Sequence, residues 1–114
     1  MTAAVELSRI HHVAYRCRDA AQTVAFYQRV LGMDFMLAIA EDEVPSTGEP
    51  DPYMHVFLDA GGGNVLAFFE LPNSPPAQDD VATPAWVQHI AFAVDSMDAL
   101  ECARRAAIAE GLDV

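Results

Sequence analysis

The chain has 114 residues, 53% of them hydrophobic and 9% aromatic, and it sets 17 acids against 6 basic residues for a net charge of −11. That length and composition bound one globular domain with a real core, and the acidic balance opposes nucleic-acid binding and docking on anionic membranes. Every basic residue is an arginine, so Schiff-base chemistry and a P-loop are excluded.

At the N-terminus, Met1-Thr2-Ala3-Ala4 lacks the basic and apolar regions of a secretory leader. No window approaches the ~18 apolar residues of a membrane helix. A cytoplasmic protein is the expectation. Residues 9–17 read as a strand, with Ile10, His12, Ala14 and Arg16 on one face and His11, Val13, Tyr15 and Cys17 on the other. Asp19 is the N-cap of a helix over 20–31, whose apolar stripe runs through Val24, Tyr27 and Leu31 and which Gly32 ends. Residues 34–40 form a second strand. The acidic, proline-rich stretch 41–52 reads as a loop long enough to be a flap over a site. Strands over 53–59 and 64–71 follow, joined by a hairpin turn at Ala60-Gly61-Gly62-Gly63.

Residues 72–85 form a polar linker, and then the opening pattern returns. Ile10-His11-His12-Val13-Ala14-Tyr15 has its counterpart in Val87-Gln88-His89-Ile90-Ala91-Phe92. Asp19 has its counterpart in Asp95, and each copy continues into a helical run, the second capped by Asp95 or Ser96 and reaching about residue 110. The fold class is therefore α+β, built from paired βαβββ modules in one domain over 1–114. Module one, about 8–71, is complete; partial module two, 86–114, has only βα. Strands equivalent to 34–40, 53–59 and 64–71 have no counterpart before Val114, so the chain reads as truncated. Cys17 and Cys102 have no paired spacing and read as reduced thiols.

His12 and His89 hold matched positions in the two copies, and Glu70 ends an apolar strand in which Leu66 and Phe68 share its face. A buried carboxylate needs a partner. Two imidazoles and a carboxylate converging from three strands make a ligand set for zinc, nickel, cobalt, iron or manganese, with positions left open for substrate. Arg16 shares the His12 face and suits a substrate carboxylate. Phe68, Trp86 and Met36 are candidates to line an apolar pocket. His11 and His55 read as structural histidines.

These residues resemble the vicinal oxygen chelate superfamily, which includes glyoxalase I, extradiol dioxygenases, methylmalonyl-CoA epimerases and bleomycin-resistance proteins. The resemblance rests on Ile10-His11-His12-Val13, on the run from Phe26-Tyr27 to Leu31-Gly32-Met33, on Phe69-Glu70-Leu71, and on His89-Ile90-Ala91-Phe92-Ala93-Val94-Asp95. It implies that one divalent ion (Ni, Zn or Co) is held by His12, Glu70 and His89, with a fourth ligand beyond Val114. It also implies that Glu70 is a catalytic carboxylate and that Arg16 and Phe68 meet a small-molecule substrate, in a homodimer. The expected reaction is a glyoxalase-I-like isomerisation through an enediolate. The alternatives are an extradiol dioxygenase using Fe(II), which needs His12 and His89 but not Glu70, and a bleomycin-resistance-type binder without metal. The Asn-Trp-Gly segment that follows Glu-Leu in glutathione-dependent members is absent; Pro72-Asn73-Ser74 stands there.

Overall fold

A computed structural model describes residues 4–78 and 81–114 of the chain. Residues 1–3, part of the segment read for a leader, and residues 79 and 80 of the linker lie outside the described residues. The elements are β1 (His12–Cys17), α1 (Ala20–Leu31), β2 (Asp34–Glu43), β3 (Pro50–Asp59), β4 (Val65–Glu70) and α2 (Met97–Ala109). The four strands form one mixed sheet in the order β1-β4-β3-β2, with β1 parallel to β4 and the other pairs antiparallel. Helix α1 carries the chain across one face of the sheet, because β1 and β2 lie at opposite edges.

The local signals act as the sequence implies. The Asp19 carboxylate accepts from Gln22 N–H at 2.8 Å and caps α1. The helix ends at Gly32, whose φ of 64° is cheap only without a Cβ. Its N–H donates to the Gln28 carbonyl, and that of Met33 to the Tyr27 carbonyl. Ser96, rather than Asp95, caps α2 by accepting from Ala99 N–H at 3.0 Å. At the β3–β4 turn, Ala60 N–H donates to Asn64 O and Asn64 N–H to Gly61 O, each at 2.9 Å.

Two expectations need correction. The stretch 41–52 is no long flap: β2 continues to Glu43, β3 starts at Pro50, and only residues 44–49 connect them. Pro50 is tolerated as the first residue of its strand, and Pro52 because β4 pairs with β3 only from Met54 onward, so no ladder hydrogen bond is lost on that side. Residues 86–94 are not a strand. They lie without regular structure and have no ladder partner among the described residues. A strand exists only through its neighbour's backbone groups, so apolar alternation alone does not make one.

The core lies between α1 and one face of the sheet. It comprises Ala20, Met33, Val56, Leu58, Leu66 and Phe68, with Val13, Cys17, Val24 and Tyr27 packed against it. Leu58 and Leu66 are fully buried, and each such side chain contributes about 1.5–3 kcal/mol relative to leaving it exposed. Helix α2 joins α1 through Arg29, whose Nη2 donates to Glu110 Oε2 at 2.9 Å while its Nε meets Oε1. Among the described residues no helix is long and apolar enough to cross a membrane.

Candidate small-molecule site on the open sheet face

Register decides which side chains share a face. β1 pairs with β4 as His12↔Val65, Ala14↔Ala67, Arg16↔Phe69 and Cys17↔Glu70. β3 pairs with β4 as His55↔Phe69, Phe57↔Ala67 and Leu58↔Leu66. Paired residues point to the same side of a sheet. One face therefore carries Val13, Tyr15, Cys17, Leu66, Phe68, Glu70, Val56 and Leu58, and α1 covers it. The opposite, open face carries His12, Ala14, Arg16, Val65, Ala67, Phe69, His55 and Phe57.

This arrangement separates the expected ligand set. Glu70 lies on the helix side, opposite His12, and its Oε1 accepts from Ala20 N–H at 2.8 Å. It caps the first turn of α1, where a carboxylate meets unsatisfied N–H groups and the positive end of the helix dipole. The roles of Glu70 as ligand and as catalytic group do not fit this placement. The β4 residue paired with His12 on the open side is Val65, which has no donor atom. Phe68 also needs correction. It is buried in the core against Tyr27, with ring centroids 5.3 Å apart, rather than exposed to a substrate. Trp86 and Met36 are exposed. Among the described residues, no group of three His, Cys, Asp or Glu side chains is close enough to hold one metal ion.

The two matched histidines have different Nδ1 partners. His12 Nδ1 lies 2.9 Å from Nδ1 of His11, and His89 Nδ1 lies 3.0 Å from the Val87 carbonyl. An imidazole N–H donated to a carbonyl fixes the tautomer and leaves Nε2 with a free lone pair, the state in which histidine binds metal. Arg16 lies on the His12 side, where Nη2 donates to the Pro75 carbonyl; Arg18 Nε donates to Ala77 O at 3.1 Å. The two arginines thus strap the linker beside the open face.

Sequence reasoning missed His55. Its ring stacks on Phe69 at 3.6 Å and 15°, lies 4.2 Å from the Phe57 ring, and stands 6.5 Å from that of His12. Its Nε2 is buried without a hydrogen-bond partner. An orphaned buried polar atom costs about 1–3 kcal/mol. Burial, and then the nearby His12, push its pKa below the ordinary 6.5, so His55 is held neutral. The available signal was alternation in β3, where aliphatic Val56 and Leu58 mark the core side and leave His55 and Phe57 opposite. On the helix side, burial pushes the Cys17 thiol up, with Glu70 adding to the shift against a hydrogen bond from Thr23. A raised pKa leaves less of the nucleophilic thiolate.

A family model described as the Glyoxalase/Bleomycin resistance protein/Dioxygenase superfamily matches residues 9–114. The uncharacterized protein YwkD of Bacillus subtilis is 30% identical over 92 residues, which cover 81% of this chain and 66% of that protein. The chain thus spans just under two thirds of this relative's length. A glyoxylase/bleomycin resistance protein/dioxygenase domain from Frankia sp. EAN1pec superimposes with a TM-score of 0.68 at 22% identity, covering 93% of this chain and 76% of that one. The trypanothione-dependent glyoxalase I of Leishmania major gives 0.59 at 26% identity, covering 87% of this chain and 66% of that one.

Proposed function

We propose that this chain, which belongs to the Glyoxalase/Bleomycin resistance protein/Dioxygenase superfamily, takes a small oxygen-bearing substrate on the open face of its sheet, with His12 and His89 as two imidazole ligands of one divalent ion. Within the family, the ring-cleaving dioxygenase reading with Fe(II) is favoured over glyoxalase-I-like isomerisation. One observation carries this: Glu70, the carboxylate on which the isomerase reading turned, is engaged by Ala20 N–H on the far side of the sheet. The dioxygenase reading needs both histidines and not Glu70.

The fit to a metal is divided. The contact of His89 Nδ1 with the Val87 carbonyl suits ligation through Nε2, while no carboxylate of β4 joins His12 on its face. The bound ion would supply open positions for substrate oxygens. The chain's own residues do the remaining work. His12 and His55 stand over a floor of Phe57 and Phe69, which excludes water from one side of a bound molecule. Arg16 is a cation on this face and orients an anionic or oxygen-rich group of the substrate. The exposed apolar residues Val87, Ile90, Phe92 and Val94 support a homodimer, and a cytoplasmic setting is part of the same reading.

Metal analysis of untagged protein tests the assignment. His12→Ala and His89→Ala are each expected to lose bound iron, and Glu70→Ala to retain it. Loss of metal from Glu70→Ala would restore the isomerase assignment. Metal content unchanged in all three variants would overturn the assignment of His12 and His89 as ligands, and a wild-type protein without metal would leave binding without a metal as the surviving function.

A further inference from the structure

A pocket of about 390 Å³ lies between the β2–β3 hairpin and the end of β4, lined by residues that include Val44, Pro45, Asp51, Tyr53, His55 and Phe69. It is within the size range of small-molecule sites, about 300–1,000 Å³. Its chemistry is specific. The His55 and Phe69 rings stack 15° from parallel, and Tyr53 meets Phe69 with centroids 5.6 Å apart. These rings offer flat apolar surface. Within this surround, His55 Nε2 is a buried polar atom with nothing to bond. Asp51 is on the lining, and Glu41, Asp42, Glu43 and Glu49 sit in the same hairpin, so the pocket disfavours an anion.

We infer that this pocket is a subsite for a flat, non-anionic ring bearing one hydrogen-bonding substituent, with the ring against Phe69 and Tyr53 and the substituent on His55 Nε2. The inference rests on the reading of the open face as the substrate face. Phenol offers both features. Cyclohexanol keeps the hydroxyl without the flat ring, and benzoate keeps the ring but adds a negative charge.

The test is titration of the whole chain with each probe, followed by amide chemical shifts. Phenol is expected to shift Val44, Tyr53 and Phe69, and cyclohexanol and benzoate to bind at least about tenfold more weakly. His55→Phe preserves an aromatic ring and removes the nitrogen, and is expected to weaken phenol binding by about tenfold. Val44→Trp, a change in the hairpin connection away from the core, fills the pocket and is expected to abolish binding. Phenol binding unchanged in His55→Phe, or benzoate binding as well as phenol, would overturn the inference. Shifts confined to His12 and Ala14 would overturn the subsite while leaving the open-face reading intact. An absence of shifts on the open face with every probe would remove both.

Discussion

Residues 10–31 and 87–109 carry one sequence pattern and reach different structures. In the first copy, β1 lies in a parallel ladder with β4, and α1 buries Ala20 and Val30. In the second, residues 87–94 form no ladder among the described residues, and α2 has no buried residue. Both helices nevertheless form, and both are capped by the side chain before their first turn. A helix satisfies its own backbone and can be specified within a dozen residues. A strand borrows its hydrogen bonds from elsewhere in the chain.

The largest effect that should sharpen this contrast is in the core. Leu58→Ala is expected to cost about 2–5 kcal/mol in denaturant unfolding, whereas Ile90→Ala, in the unpaired copy, should change stability by about 0.5 kcal/mol or less. Equal losses would mean that residues 87–94 are packed as tightly as the sheet. Next is Glu70→Ala, which removes the acceptor for Ala20 N–H and should cost about 0.5–2 kcal/mol. The same loss is not expected from an equivalent truncation at Asp95, since Ser96 caps α2.

A smaller effect is pH-dependent. Because folding lowers the His55 pKa below 6.5, the unfolded chain takes up that proton first as the pH falls. The contribution of His55 to stability is thus complete above pH 6.5 and is lost as the pH drops from there to the lower folded value. Comparing pH–stability curves of the wild type and His55→Phe should show a shallower slope in the variant over this window. The smallest effect links the two copies directly. Arg29 holds the Glu110 carboxyl below its ordinary range through a hydrogen bond, so this contact is present above that range and lost as the carboxylate is protonated in acid. Arg29→Ala should lower Tm slightly at pH 7, with the difference vanishing at low pH or high salt, as for any solvent-exposed pair.

Much of the fold was legible. Asp19, Gly32, the glycine turn after Ala60 and the helix over 97–109 are local signals, and each acts where it is written. The candidate site was legible only in part. Alternation correctly grouped Leu66, Phe68 and Glu70 on one side of β4, and His12, Ala14 and Arg16 on one side of β1. It carried no information on whether those sides coincide. Both faces of β4 are apolar, so hydrophobicity did not mark the inner one, and a one-residue change of register exchanges them.

The sequence by itself determined the duplication, the helices with their caps, the turns and the family, because these depend on neighbours a few residues apart. Only the tertiary structure decided that His12↔Val65 is the register of β1 on β4. That choice sends Glu70 to the helix cap and Phe68 to the core, and brings His55 beside His12 from a strand more than forty residues away. The physical reason is that pairing is set by the packing of Leu58, Leu66 and Phe68 under α1, a long-range balance that the alternation within one strand does not contain.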